Sequence, residues 1–192
     1  MELGAFATGV ASSFVAALVF AFAAYVTFSR VLQRPHVDRP YLEIADKIAR
    51  YHEDAGNNPG QTEPKKVYAI KVINKCRRPV INIKAELQLV RTKIEKGGPV
   101  QQWIDIPLYK AFPMRIEVFD KLDTQGYYAF RFRTYEDVDA LWGNDDIEFL
   151  RLRVMATDSF SGFTDVFVQN YYKKQFSICY GHYAARDSFE IA

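Results

Sequence analysis

The residue types most often used in catalysis and metal binding are sparse and scattered in this chain. Three histidines, His36, His52 and His182, and two cysteines, Cys76 and Cys179, are far apart. The cysteines form no CxxC pair, and the spacing indicates no Cys–His or Ser–His–Asp set. The HExxH, GxSxG, Walker and dinucleotide-binding motifs are also missing. We therefore predict no catalytic, cofactor or metal site and no enzyme activity, and we interpret each histidine as an ordinary polar or interface residue.

An acidic stretch lies in the second half of the chain. It comprises Glu136, Asp137, Asp139, Asp145, Asp146 and Glu148. Calcium needs several oxygen ligands at one point, so this stretch is a candidate for binding it. The residues lack the ordered spacing of a calcium loop, however, and we favour a solvated loop.

Basic residues cluster at two places, and both clusters are candidates for contact with a membrane surface. They contain Arg30, Arg34, Arg39, Lys65 and Lys66. Beside anionic lipid headgroups each such charge contributes about 1 kcal/mol. The alternative is that these charges only orient a membrane segment. The net charge of +2 is too small to indicate nucleic-acid binding.

The element that would bring these charges to a membrane is an uncharged segment, residues 5–28. As a helix it would be roughly 36 Å long, which exceeds the hydrocarbon core of about 30 Å. We predict a single transmembrane helix, with the N-terminus outside and the rest of the chain in the cytoplasm, because the arginines follow it. A signal peptide cleaved near Ala21-Phe22-Ala23 is the alternative. A basic n-region is missing and the apolar run is long, so we favour the anchor.

Small residues recur every fourth position along this predicted helix. They are Ala5, Gly9, Ser13, Ala17 and Ala21. Such a row lets two helix backbones approach closely in lipid. We therefore expect a packing seam for a second copy of the chain or another membrane protein. The alternative is that alanine is simply common in membrane helices.

The connection after the anchor is predicted to contain a short amphipathic helix over Tyr41–Asp54. Its apolar stripe would be Leu42, Ile44, Ala45, Ile48 and Ala49. Glycine, asparagine and proline residues in Ala55–Pro64 predict a flexible linker. We thus expect an anchor over 1–30, a helix and linker over 31–65, and a β domain over 66–192.

From Val67 onward, apolar and polar residues alternate as in half-buried strands. The clearest run is Val80–Val90, where the predicted core side contains Ile81, Ile83, Ala85, Leu87 and Leu89. Turns are expected at Cys76–Pro79 and around residues 97–99 and 159–162, and a short helical turn over 136–141. Several short strands separated by such turns predict an antiparallel β-sandwich.

Two stretches of this β domain carry a family resemblance. The first runs from Val72-Ile73-Asn74 through Arg77 to Ala85 and Leu89. The second contains Asp158, Ser161-Gly162, Tyr171-Tyr172, Ile178 and Gly181. Together they resemble the immunoglobulin-like cytoplasmic domain of inward-rectifier potassium channels. The resemblance implies an immunoglobulin-like sandwich that assembles as a ring of four beneath a membrane and couples ligand or lipid binding to gating.

The membrane part departs from that family. One membrane helix is predicted where the family has two, and the chain lacks a pore helix and a TVGYG-type filter. Cys179-Tyr180-Gly181 falls in the β domain and is not a filter. We therefore expect no potassium-selective channel, and carry over only the tendency to assemble side by side.

The function favoured by these observations is that of a single-pass membrane-anchored interaction protein. Its cytoplasmic β-sandwich would form homo-oligomers or dock a membrane-protein partner, with the lipid bilayer and anionic lipid as further contacts. The alternative is an oligomeric channel-like or membrane-perturbing effector, gated by a ligand or lipid at the β domain. The helix has only four serine and threonine hydroxyl groups and no charge, which makes a water-filled pore the less favoured function.

Overall fold

The computed structural model describes residues 17–27, 39–53, 64–143 and 146–192. The chain divides into two units, Met1–Val37 and Asp38–Ala192. In the first unit, residues 17–27 form helix α1, on which large apolar side chains such as Leu18, Phe20 and Phe22 are exposed. All the described strands belong to the second unit.

The second unit is mainly β, as the alternation predicts. Its strands are β1 Leu42–Ile44, β2 Ile48–Glu53, β3 Lys65–Asn74, β4 Val80–Glu95, β5 Gly98–Ile106, β6 Arg115–Ile116, β7 Ala129–Thr134, β8 Glu148–Asp158, β9 Thr164–Tyr171 and β10 Ile178–Tyr180. Its described helices are the single turns α2 Val138–Leu141 and α3 Lys174–Ser177.

The first sheet is organised around β3. One edge of β3 pairs antiparallel with β2 and then with β1, and the other edge pairs antiparallel with β7. β10 extends the sheet by pairing in parallel with β2, where Ile178 lies opposite Ile48. β3 is therefore enclosed by strands on both sides.

The second sheet is organised around β4 and is entirely antiparallel. β4 pairs with β5 along one edge and with β8 along the other, and β6 pairs with its first residues. β9 pairs with β8 and lies at the edge of the sheet.

A shared core joins the two sheets. Tyr68 and Ile70 of the first sheet and Leu87 and Leu150 of the second belong to one cluster of buried side chains. On β3, Tyr68 and Ile70 are separated by one residue that faces the other side of the sheet, which is the geometry of a strand. The structure thus agrees with the predicted β-sandwich.

A β-bulge near the start of β4 makes one predicted side-chain direction wrong. Strict alternation places Ile81 in the core, but Val80 is buried there and Ile81 is half-buried. The pairing of β4 with β8 shifts between Ile81 and Lys84, and Asn82 has a φ of 51°. Because the bulge adds one residue, the side chains before it point to the opposite face from the one that strict alternation predicts.

The amphipathic helix predicted over Tyr41–Asp54 is wrong, because this segment forms β1 and β2. Ile48 packs into the shared core, whereas Ala49 and Tyr51 pack on the opposite side of the sheet. Adjacent apolar residues that are buried on opposite faces of a strand also fit the apolar stripe of a helix, so periodicity alone does not distinguish the two. Pairing with β3 decides between them, and it places this segment in the same unit as the later strands.

The C-terminal residues 181–192 cover the outer face of the first sheet. Tyr183 is buried there in a second, smaller cluster with Ala49, Val67 and Ala69. Backbone hydrogen bonds between His182 and Ala192 close this segment on itself. β2 and β3 are consequently buried on both faces.

The turns predicted at Cys76–Pro79 and 159–162 are confirmed, whereas the turn predicted around 97–99 lies at residues 96–97, because Gly98 and Pro99 already pair on β5. Asn74 accepts a hydrogen bond from the Cys76 amide and donates to the carbonyls of Arg78 and Glu117, which fixes the turn before β4. Asp158 accepts hydrogen bonds from backbone amides of the 159–162 loop. The predicted helical turn near residue 138 is α2.

Within the described residues, no helix has both the length and the apolar character needed to cross a membrane. The transmembrane helix predicted over residues 5–28 lies largely outside the described residues, and α1 covers only its second part. That helix therefore stays a prediction.

Candidate functional site

The outer face of the second sheet presents aromatic and arginine side chains to solvent. Along β8 every second residue points into the core, as Ile104 and Ile106 do on β5, and the residues between them point outward. We call the outward group formed by Trp103, Phe149, Arg151, Arg153 and Tyr172 the stacked face.

The register of the sheet brings these side chains together. Val90 of β4 lies between Trp103 on β5 and Phe149 on β8, so both rings belong to one outward row. The Arg153 guanidinium carbon lies 4.5 Å from the Trp103 ring centre. The Arg151 carbon lies 5.4 Å from the same ring and 5.1 Å from Phe149. Each such contact contributes about 0.5–1 kcal/mol at an exposed site.

Two further contacts hold the stack in place. The ring centres of Phe149 and Tyr172 are 5.4 Å apart. Arg151 donates a hydrogen bond of 2.9 Å to the side-chain oxygen of Asn170 on β9. The arrangement is therefore ordered, although 42% of Trp103 and 61% of Tyr172 are exposed.

Apolar side chains extend the stacked face toward the edge of the sheet. Val166 and Val168 of β9 point outward and are exposed, beside Met155 of β8. Because β9 is an edge strand, its outer backbone groups lie next to these apolar side chains.

The chemistry of the stacked face is that of a binding surface. Trp, Tyr and Arg are the types most enriched among energetically dominant interface residues. Neither Arg151 nor Arg153 forms an ion pair with any carboxylate of the described residues. Over the same residues, no group of three or more His, Cys, Asp or Glu side chains is arranged to hold a metal ion. The face can therefore bind a surface that offers carboxylates and apolar groups.

The structure separates the basic residues that the sequence grouped as membrane contacts. Arg39 precedes Tyr41, whose carbonyl accepts a hydrogen bond from the Lys75 amide just after β3. Lys65 and Lys66 begin β3, a strand of 10 residues that is about 33 Å long. Arg39 and the two lysines thus lie at opposite ends of the first sheet. Arg30 and Arg34 lie outside the described residues.

Lys66 belongs to an ion network. Its ammonium lies 3.0 Å from Asp137 and 3.8 Å from Asp139. Arg50 lies 2.7 Å from Asp139, and the Tyr68 hydroxyl donates to the same carboxylate at 2.7 Å. Burial raises the pKa of Asp139, but the hydrogen bonds from Tyr68 and Arg50 outweigh it and lower the pKa overall. The network ties α2 to β2 and β3.

The interpretation of the acidic stretch as a solvated loop is wrong for two of its members. Asp139 is held by Arg50, and the Glu148 side chain is only 5% exposed and pairs with Arg91. Both carboxylates meet arginines from elements that are distant in sequence, so the local sequence reveals neither ion pair. Asp145 lies outside the described residues.

The small-residue seam lies only partly within the described residues. Ala17 and Ala21 are on α1 and are exposed. Ala5, Gly9 and Ser13 lie outside the described residues, so the seam stays a prediction.

The histidines and cysteines do not converge. The centre of the His182 ring lies 4.0 Å from the centre of a tyrosine ring, and the centre of the His52 ring lies 6.4 Å from that of another tyrosine. His36 lies outside the described residues. Cys76 is buried and Cys179 half-buried, and both are free thiols. Burial raises the pKa of the Cys76 thiol, although its sulfur accepts a hydrogen bond from a backbone amide.

The stacked face is not among the sites predicted from the sequence. The sequence signal that could reveal this face is the type of residue at the outward positions of the strands. There Trp103, Phe149 and Val168 occupy positions where solvated strands usually carry polar residues.

Comparisons with known proteins give little support for any family. No family model and no curated protein matches this chain. A solved structure described as a FixG-related protein from Vibrio parahaemolyticus is similar at 18% identity, covering 69% of this chain and 96% of that one. Its TM-score is 0.23, which supports no inference. The resemblance to inward-rectifier channel domains stays a prediction.

Proposed function

We propose that this protein is a single-pass membrane-anchored interaction protein whose β-sandwich docks a protein partner through the stacked face. The observation that carries the proposal is the stacking of Arg151 and Arg153 on the exposed Trp103 ring. Contiguous exposed apolar groups of this kind mark interaction sites on soluble domains. The two guanidinium groups have no described carboxylate partner, so the complementary surface is an acidic one with apolar groups.

The membrane anchor is supported by sequence. Residues 5–28 carry no charge, and Arg30, Arg34 and Arg39 follow them, which favours a cytoplasmic sandwich. We also assign the sandwich to the immunoglobulin-like class, because two packed and mainly antiparallel sheets are typical of it.

Photo-crosslinking of the full chain in cells tests the docking surface. Benzoylphenylalanine replaces Val168, which lies beside the stacked face opposite Arg153, or Ile94, which is also apolar and is more exposed but does not adjoin that face. We expect a discrete adduct from position 168 that disappears when Arg153→Glu is added, and none from position 94. An adduct of twice the chain mass would identify a second copy as the partner. The absence of an adduct at 168, or the same adduct from both positions, would contradict the proposal.

Alkaline carbonate extraction tests the anchor separately. We expect the full chain to stay in the membrane pellet, and the double variant Leu18→Lys/Phe20→Lys to be released, because two charges in the apolar segment oppose insertion. Ile94→Lys, which changes an exposed residue of the sandwich, is the control and should stay in the pellet. Release of the unaltered chain would show that the segment is not an anchor.

A further inference from the structure

A cavity of about 390 Å³ lies on the outer face of the first sheet and is lined by cationic side chains. β3 and β7 form its floor, and its rim comes from residues 109–110, the turn 124–126 and residues 185–186. The cations are Lys71, Lys110, Arg131, Arg133 and Arg186. Neither aspartate nor glutamate is among the described lining residues. The volume is within the range of about 300–1,000 Å³ that is typical of small-molecule sites.

Lys71 is the most buried of these cations, with 1% of the residue exposed. Its ammonium donates to two neutral acceptors, the carbonyls of Ala184 at 2.9 Å and Ser188 at 2.7 Å. It also lies directly across the strand pair from Arg131. Burial of a charge and like charges in directly opposed positions both destabilise a fold. Asp187 offsets part of this charge from outside the cavity.

The other cations are also poorly neutralised. Arg131 donates to the Tyr183 carbonyl at 3.2 Å, and Arg133 is 3.8 Å from Glu53. Lys110 and Arg186 form no ion pair with a carboxylate of the described part of the chain. The cavity therefore concentrates positive charge that the protein itself balances only in part.

The backbone gives an independent indication that this rim is specialised. Lys110 has a φ of 56° and Arg186 a φ of 61°. A left-handed conformation is uncommon for residues with a side chain. Such residues cluster at ligand sites, where the surrounding structure maintains the strain. Here both of them are cations on the rim of the same cavity.

We propose that this cavity binds a small phosphate-bearing anion, held by the guanidinium groups of Arg131 and Arg186 above the buried ammonium of Lys71. Guanidinium groups donate two parallel hydrogen bonds to phosphate oxygens, and an ammonium acts as a point charge. Several cations around one cavity fit a group that carries more than one negative charge. Tyr109 lines the same cavity and provides contact area for an organic part. A soluble organic phosphate and a phosphorylated lipid headgroup share this chemistry.

The site belongs to the first sheet, whereas the stacked face belongs to the second. The two proposals therefore stand on different residues.

Calorimetric titration tests whether the ligand is a soluble phosphate. The detergent-solubilised full chain is titrated with inorganic pyrophosphate at constant ionic strength. Each arginine that donates charge-assisted hydrogen bonds contributes about tenfold or more to affinity. We expect saturable binding that Arg131→Gln and Arg186→Gln each weaken by about that factor. Arg115→Gln removes an exposed arginine outside the cavity and should leave the affinity unchanged. Far-UV circular dichroism verifies that each variant is folded.

Measurements in nanodiscs test whether the ligand is a phosphorylated lipid headgroup. Thermal unfolding of the full chain is compared in phosphatidylcholine discs with and without phosphatidic acid, for the same three variants. A higher Tm with phosphatidic acid that Arg131→Gln abolishes and Arg115→Gln preserves would identify a headgroup. Pyrophosphate binding alone would identify a soluble phosphate. Absence of both effects, or equal losses in the Arg115→Gln control, would overturn the proposal.

Discussion

Lys71 and Arg131 lie directly opposite each other across the β3–β7 pair and line the same cavity. Burial, followed by the charges of Arg131 and Lys75, lowers the pKa of Lys71 to about 8, and Asp187 acts in the opposite direction. The pKa of a lysine in an unfolded chain is about 10.4. Between these two values the native state therefore binds fewer protons than the unfolded state.

This difference predicts a rise in the free energy of unfolding from about pH 8 to about pH 10, because stability increases with pH wherever the unfolded state holds more protons. Below that window Lys71 is protonated in both states and its contribution is flat. Urea unfolding of the full chain at several pH values measures this rise, and Lys71→Met should reduce it. Equal slopes for the two proteins would contradict the assignment. Tyrosine ionisation limits the upper end of the window, because burial raises the pKa of Tyr68 and Tyr183.

Replacing Arg153 by alanine removes the cation that stacks on Trp103 at 4.5 Å. We expect the free energy of unfolding to fall by about 0.5–1 kcal/mol. The emission of Trp103 should also change, whereas Trp142 is fully buried and supplies a constant background. Lys93→Ala changes an exposed cation elsewhere on the sheet and serves as the control. A fluorescence spectrum identical to that of the unaltered chain would show that the stack does not form in solution.

Asp139→Asn is expected to destabilise the sandwich by roughly 1–3 kcal/mol, because Arg50 loses its charged partner. Glu95→Gln, at an exposed position on β4, should have little effect. The native pKa of Asp139 is lowered, so its contribution is present above the unfolded value of about 3.9 and is lost as pH falls through the native value. Acid titrations followed by circular dichroism should show less pH dependence in the variant.

Gly181→Ala should destabilise the fold more than Gly97→Ala. Gly181 has a φ of 129°, and an added Cβ would overlap the Ala192 backbone. Gly97 has open space around it. A strained backbone conformation costs about 1–3 kcal/mol, and we expect thermal unfolding of Gly181→Ala to reflect at least that loss. Similar Tm values for both variants would show that the C-terminal segment does not pack as described.

The two thiols should differ in reactivity. Burial removes Cys76 from solvent and raises its pKa, whereas Cys179 is half-buried. Because the thiolate is the reactive form, we expect maleimide to label Cys179 first in the native chain. Mass spectrometry of digested samples identifies the labelled site, and urea should equalise the two rates.

The alternation of apolar and polar residues predicts a strand correctly where one face of the strand is exposed to solvent and the other is buried. The alternation in β4 and β8 yields the sandwich and most of its turns. It fails for β2, where Ile48 and Ala49 are both buried, in clusters on opposite faces of the sheet. The pattern of two buried faces does not fix a period, and only pairing with β3 resolves it.

The candidate sites are less visible in the sequence than the fold. Lys71, Arg131 and Arg186 are far apart along the chain, and pairing and the C-terminal segment bring them to one cavity. No local motif marks such a set. Trp103 and Arg153 also meet only because β5 and β8 flank β4.

The parallel pairing of β10 with β2 has a consequence for synthesis of the chain. Ile48 emerges from the ribosome long before its partner Ile178. Until then β2 has an open edge and the second cluster lacks its Tyr183 cover. The nascent chain thus exposes a strand edge and an apolar face for most of translation, a state that holdase chaperones recognise and that favours aggregation when synthesis stalls.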